Sequence, residues 1–327
     1  MPEKGGEKTG GRTMTVDVII PSYRPGERFY RLLSMLKAQE TPVNRIIVIN
    51  TEKKYWDPEK YRVFPNLEVR HITKKQFDHG AVRNMGISLS KADIVVCMTD
   101  DAVPADRKLI TALTEGFSGT GPSGETIIEV YARQLPGPEC GEAEKYTRQF
   151  NYPETSRIKT IKDLERLGIK TYFASDVCCA YRRAEFEKLG GFISRTIFNE
   201  DMIFAAKALK AGYAVRYEAG AQVIHSHNYT PMQQLHRNFD LGVSQADHPE
   251  VFKGVPSEGE GIKLVKQTAA YLISRKKYLE LPGLIVNSGF KYIGYRLGKA
   301  YRHLPKGAVR RLTTDPDYWN RKGGGQL

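Results

Sequence analysis

Ile94-Val95-Val96-Cys97-Met98-Thr99-Asp100-Asp101-Ala102-Val103-Pro104 sets five apolar residues in succession ahead of two adjacent carboxylates. A run this short, with two β-branched valines, reads as a strand buried on both faces. Asp100 and Asp101 stand where it runs out, and in an open α/β sheet ligands bind beyond the carboxyl ends of the strands. A carboxylate there, with no lysine or arginine beside it, is costly to bury unless a cation joins it. Hard oxygen ligands of this kind suit Mg²⁺ or Mn²⁺, with a substrate's phosphates completing the coordination. The stretch alone also fits a solvated Asp-Asp turn before Pro104.

Upstream, Val16-Asp17-Val18-Ile19-Ile20 is a second short strand, closed by the turn cluster Pro21-Ser22-Tyr23-Arg24-Pro25-Gly26. Phe29, Leu32, Leu33 and Leu36 then follow at helical spacing between Glu27 and Gln39. Arg45–Ile49 repeats the strand and ends at Asn50-Thr51-Glu52, Leu67–Ile72 alternates as a third strand, and Ala81–Ser90 reads as a helix. Strands alternating with helices imply βαβ units and a mostly parallel sheet. Downstream, Thr126–Tyr131 restarts a strand that Arg133 and Gln134 leave, and 138–166 has no clear period. Asn199-Glu200-Asp201 opens a helix running to Gly212, and the strand Ala221–Ile224 ends on His225-Ser226-His227.

These patterns divide the chain into a flexible leader at 1–13, a nucleotide-binding half at 14–120, an acceptor half at 121–235 and a basic helical region at 236–327. Leu281–Thr314 contains no acidic residue and sets Phe290, Ile293, Leu297, Tyr301 and Leu304 at helical spacing. Such a helix lies on an anionic membrane or packs its stripe on the main domain. A composition of 40% hydrophobic and 27% charged residues is that of a globular protein, and 50 Lys and Arg against 37 Asp and Glu favour anionic partners. Four cysteines without metal spacing suit a reducing compartment. No apolar run reaches membrane-spanning length, so any membrane contact is peripheral.

The order of landmarks resembles the family-2 glycosyltransferases with the GT-A fold. Val18–Tyr23, the polar trio at 50–52, the Asp-Asp strand end, Gly190-Gly191-Phe192 and Asn199–Asp201 carry the resemblance over about residues 15–230. A narrower likeness, to the rhamnosyltransferase branch, rests on Phe77–Asn84, Thr99–Pro104, Arg133–Pro136, Phe150–Pro153 and His225–Tyr229, and in the tail on Gly294–Gly298 and Tyr318-Trp319. It implies transfer of L-rhamnose from dTDP-L-rhamnose to a glycan or polyprenyl-linked glycan at the cytoplasmic membrane face. Thr99 stands where many relatives have the first carboxylate of Asp-x-Asp, so the likeness aligns Asp101 with the metal-binding position. Asn50 stands where many have an aspartate.

Glycosyl transfer needs the leaving diphosphate neutralised, a proton taken from the acceptor hydroxyl and water excluded. Asp101 with Mg²⁺ or Mn²⁺ meets the first need, and His225 and His227, two apart on a strand, are candidate further ligands. Glu200 and Asp201 are the candidate bases, although carboxylates at a helix N-terminus also serve the dipole. The resemblance assigns the base to Asp201, with inversion at the sugar carbon, and an acceptor-orienting role to Glu200. Donor-side candidates are Pro21, Tyr23, Arg24, Asn50, Glu52, His79, Gly80, Arg83, Asn84, Asp100 and Asp101, with Arg83 pairing phosphate or Asp100. Arg133, Gln134 and Asp176 are acceptor-side candidates. A sugar nucleotidyltransferase would want more than the single glycine after the first strand. A UDP-hexose transferase keeps the same site with another donor. A basic nucleic-acid-binding protein would explain the charge but not the acidic strand end.

Overall fold

The computed structural model describes residues 14–255 and 258–322, so the leader at 1–13 lies outside the described residues. Nine strands form one sheet: β1 (Val16–Tyr23), β2 (Arg45–Thr51), β3 (Leu67–Ile72), β4 (Ile94–Met98), β5 (Val103–Pro104), β6 (Ile127–Leu135), β7 (Arg157–Lys159), β8 (Cys178–Arg182) and β9 (Ala214–Ile224). Their order is β3-β2-β1-β4-β8-β6-β9-β5, with β7 on β9. The first four run parallel, as does β6 beside β9, while β8 is antiparallel to both of its neighbours. All five residues of β4 are buried, because Ile94, Val96 and Met98 join the apolar cluster on one face of the sheet and Val95 and Cys97 the cluster on the other. All four cysteines are buried free thiols.

Two strands run further than their apolar cores suggest. β1 continues through Tyr23, pairing Ser22 and Tyr23 with Asn50 and Thr51 of β2. In a parallel ladder alternate residues face opposite neighbours, and Pro21 falls on the β4 side, beyond the last β1–β4 pair at Ile19. Its missing N–H therefore breaks nothing. Tyr23, on that same side, sends its N–H to Asp100 Oδ2 at 3.1 Å. β6 likewise continues to Leu135, so Arg133 and Gln134 sit within the strand instead of leaving it.

The basic stretch from Leu281 is not one helix. It breaks after Lys299 into a short turn at Tyr301–His303 and a second helix, Lys306–Leu312. Leu297, Tyr301 and Leu304 from the expected stripe pack with Phe239, Val243 and Trp319, whereas Ile293 is 49% exposed. Helix Leu281–Lys299 lies against helix Pro231–Asp247 through glycines that leave no room for a side chain. A Cβ on Gly298 would stand 2.1 Å from the Phe239 carbonyl oxygen and one on Gly294 2.2 Å from that of Leu235. Gly298→Ala is expected to cost about 1–3 kcal/mol by forcing the helices apart. Thermal unfolding reads this as a fall of a few degrees; an unchanged midpoint would contradict the close contact. Asp240 ties the tail down, accepting Thr313 Oγ1 at 2.7 Å and Thr314 N at 2.8 Å, and Lys74 pairs with Asp317 at 3.3 Å. The C-terminal helices therefore pack on the sheet domain and reach back to Lys74, beyond β3.

Candidate active site

The sheet delivers its chemistry to one end. After β4 the chain turns through Thr99–Asp101 and re-enters as β5, whose Val103 pairs with Ile224, the last residue of β9. That pairing brings Asp101 beside the histidines that follow β9. Asp101 Oδ1 lies 3.4 Å from His225 Nε2, Asp101 Oδ2 lies 3.2 Å from His227 Nε2, and the two Nε2 atoms are 3.1 Å apart. One ligand atom from each of the three lies within 4.8 Å of the others. Burial works to raise the Asp101 carboxyl, but hydrogen bonds from His225 and His227 outweigh it and hold the group well below the usual carboxylate range.

The donor set suits a divalent cation. His225 Nδ1 meets Gln134 Oε1 at 3.0 Å, and that oxygen also accepts from Arg148, so Gln134 orients the ring and turns its Nε2 toward Asp101 and His227. Burial pushes His225 below its ordinary value, toward the neutral form that ligates metals. Two imidazoles and one carboxylate form a mixed nitrogen and oxygen set. Asp100 turns the other way, toward Tyr23 N, and burial pushes it up to about 6. The adjacent carboxylates thus differ in charge near pH 6, where Asp100 is partly protonated and Asp101 is fully ionised.

The second carboxylate group surrounds Arg83. Its guanidinium is buried, 3.1 Å from Asp176 and 2.9 Å from Glu200, and donates to the His79 carbonyl at 3.0 Å. It does not pair with Asp100, and both of its partners are themselves buried, so little of it is left to meet a phosphate. Tyr181 donates to the other Asp176 oxygen at 2.6 Å. Asn199 takes the left-handed conformation, φ 66°, which asparagine tolerates, and turns the chain into the helix that begins at Glu200. Asp201 Oδ2 accepts the Asp176 N–H at 3.2 Å and Oδ1 accepts its neighbour Met202 N at 2.7 Å. Burial, then Glu200, then Asp176 push its carboxyl up to about 8, yet the residue stays half-buried and open to solvent.

A continuous set of contacts joins the two groups. Gln134 Nε2 donates to Ser175 Oγ at 3.0 Å and to Tyr152 Oη at 2.5 Å, Ser175 precedes Asp176, and Asp176 N reaches Asp201. Asp101 and Asp201 are therefore linked through His225, Gln134 and Ser175-Asp176. Arg133 pairs with Glu154 at 3.0 Å.

The remaining donor-side candidates separate into two places. At the ends of β1 and β2, Arg24 donates to Tyr55 Oη at 2.8 Å and stacks over the rings of Tyr23 and Tyr55. Asn50 is buried, its Nδ2 meeting His71 Nδ1 at 3.0 Å, while its Oδ1 and Thr51 Oγ1 have no partner. Glu52 accepts Lys74 N at 2.7 Å and, with His71, lines an open cavity of ≈ 280 Å³. His79, Gly80 and Asn84 form the other place. A Cβ on Gly80 would lie 2.0 Å from the Ile193 carbonyl oxygen, and Asn84 exchanges two hydrogen bonds with the Phe192 backbone, 2.8 and 3.0 Å. Gly80 and Asn84 thus hold the Gly190–Phe192 loop, and His79 sits 4.0 Å from Glu200.

Sequence reasoning missed Tyr55, His71, Arg148, Tyr152 and Tyr181. Tyr229 also went unremarked; it stacks on His227 with ring centroids 4.9 Å apart and carries the Arg237 guanidinium 4.8 Å above it.

The family description "Glycosyl transferase family 2" matches residues 17–190. The chain is 36% identical over 309 residues to the O-antigen chain rhamnosyltransferase RfbN of Salmonella typhimurium, covering 94% of this chain and 96% of that protein. It is 33% identical over 306 residues to the O-antigen chain rhamnosyltransferase WbaN of Salmonella anatum, covering 93% and 95%. Among solved structures, the mannosyltransferase PcManGT from Pyrobaculum calidifontis, in complex with GDP-Man and Mn²⁺, superposes with a TM-score of 0.55 at 14% identity, over 96% of this chain and 80% of that one.

Proposed function

Because the chain belongs to glycosyl transferase family 2 and is a glycosyltransferase, we propose that it moves L-rhamnose from dTDP-L-rhamnose to a hydroxyl of a lipid-linked glycan in surface polysaccharide synthesis, with inversion. The observation that carries the chemistry is the relay of contacts that joins the Asp101, His225 and His227 cluster to Asp201 through Gln134, Ser175 and Asp176. The choice of sugar rests on the two relatives named as O-antigen chain rhamnosyltransferases.

Asp101, His225 and His227 would hold a divalent cation, which when bound neutralises the charge that grows on the leaving diphosphate. The two imidazoles favour Mn²⁺ over Mg²⁺, since Mg²⁺ prefers an all-oxygen shell. Tyr23 and Arg24 border the nucleotide end, where an aromatic face meets a base and a guanidinium a phosphate. Asp201 accepts the proton of the acceptor hydroxyl as that oxygen attacks the sugar carbon from the face opposite the diphosphate. Two backbone N–H groups fix the Asp201 carboxylate, and Arg83 clamps Glu200 and Asp176 on either side of it. Glu200 is then a positioning residue with one oxygen committed to Arg83.

A base whose carboxyl lies near 8 must lose its proton before it can act, so kcat/KM is expected to rise about tenfold per unit from pH 6 and to level near pH 8. A profile flat from pH 6 to 8 would remove Asp201 from that role. Thermal melting against a panel of nucleotide sugars with Mn²⁺ tests the donor, because binding raises stability by mass action. dTDP-L-rhamnose is expected to raise the midpoint most; a UDP-hexose doing so in its place would overturn the donor assignment and leave the family intact.

A further inference from the structure

Helix Leu281–Lys299 turns Gly294, Gly298 and Leu297 inward and leaves an apolar side bare. Ile285 is 69% exposed, Val286 46%, Tyr292 54% and Ile293 49%. Their spacing of one, seven and eight residues puts all four on one helical face. The turn leading into that helix adds Tyr278 at 56% and Leu279 at 97%, and the helix before it ends with Ile273 at 49%. Single exposed apolar residues are ordinary, but seven within 21 residues are not. This is not the stripe that the helical spacing of Phe290, Ile293, Leu297, Tyr301 and Leu304 singles out, since Leu297, Tyr301 and Leu304 are turned inward.

Charge surrounds these side chains. Arg275, Lys276 and Lys277 precede Tyr278-Leu279, and the exposed Arg296 and Lys299 lie beyond the exposed helical residues. From 275 to 314 there are ten Lys and Arg and one acid, Glu280. No helix among the described residues is long and apolar enough to cross a membrane. An apolar turn rimmed by lysine and arginine has the composition of an element that lies in the headgroup region, its apolar side chains entering and its cations meeting lipid phosphates. A second copy of the chain fits the surface poorly, because pairing the two faces would bring two basic rims together.

We propose that the turn and helical face from Ile273 to Ile293 dock this protein on an anionic lipid bilayer. Tyr278 and Leu279 enter first, and Ile285, Val286, Tyr292 and Ile293 follow along the helix. Each basic side chain near the surface adds about 1 kcal/mol of attraction, so the interaction weakens with salt. The inference extends the reading of a lipid-linked acceptor without depending on it, since docking is measured with neither donor nor acceptor present.

The test is co-sedimentation of the full chain with vesicles. Wild type is expected to bind phosphatidylcholine vesicles containing phosphatidylglycerol, and pure phosphatidylcholine at least about tenfold more weakly. Leu279→Glu with Ile285→Glu is expected to lose about 100-fold in vesicle affinity at an unchanged melting temperature, because both positions face solvent. Three results would overturn the proposal: no binding by wild type, undiminished binding by the double variant, or a wild-type dimer in solution that the double variant splits. Failure of rhamnosyl transfer in a separate assay would leave the vesicle result standing, and the reverse also holds.

Discussion

Asp201→Asn is expected to lower transfer by about 10³-fold or more while nucleotide-sugar binding changes little. The amide keeps the shape of the carboxyl and an oxygen for a backbone N–H, but it cannot take a proton; a positioned base contributes roughly 10²–10⁴ in rate. Arg83, Asp176 and Glu200 retain their own contacts, so the surrounding ion pairs survive. The same variant makes an independent prediction about stability. Burial raises the Asp201 carboxyl to about 8, above its ordinary 3.8, so in the folded state it keeps its proton after the unfolded chain has lost its own. Stability from this group is complete below about 3.8 and is lost as pH rises through about 8. Asparagine carries no such loss, so the melting temperature of the variant relative to wild type is expected to climb from pH 5 to pH 8. Full turnover in Asp201→Asn would remove the base; a pH-independent difference in melting would contradict the buried carboxyl.

Asp101→Asn is expected to have the other large effect, a loss of at least about 10²-fold in kcat/KM that added metal does not restore. Asparagine removes the anionic member of the cluster and leaves two imidazoles whose Nε2 atoms are 3.1 Å apart. Neutral nitrogen ligands alone hold Mn²⁺ weakly, and the developing diphosphate charge then goes uncompensated. Steady-state kinetics across a manganese titration check this. Wild-type rates in Asp101→Asn at saturating donor would exclude the carboxylate from the cation site. Asp100→Asn provides the contrast, since that carboxyl engages the Tyr23 backbone and is expected to affect donor affinity more than metal dependence.

Much of this site can be read from the chain because its parts sit at strand ends. A buried run that stops at Asp100-Asp101, and a strand that stops at His225-Ser226-His227, place metal-ligating side chains where an open sheet binds ligands. The short pairing of β5 with β9, which brings the two together, involves only Val103 and Pro104 and has no periodicity to detect. Arg83 shows the opposite case. Its partners Asp176 and Glu200 lie 93 and 117 residues away, and nothing in a helix-opening arginine distinguishes a buried clamp from a phosphate ligand. Gln134 followed an apolar strand and read as an exit, yet β6 carries it, buried, between the two carboxylate groups, where it touches His225, Tyr152 and Ser175. Arg148 carried no signal because it sits on the helix Glu142–Asn151, which buries no residue fully, and Tyr152, which follows that helix, entered only through the Phe150–Pro153 likeness. The C-terminal stripe was visible as a pattern, but only packing decides which face Gly294 and Gly298 turn inward.

Manganese binding in the presence of dTDP, followed by loss of the free-ion paramagnetic resonance signal, separates the two carboxylate roles most directly. Wild type and Asp201→Asn are expected to take up one ion alike, and Asp101→Asn at least about tenfold more weakly. Equal uptake by Asp101→Asn and wild type would contradict a cation held by Asp101, His225 and His227 beside a separate base.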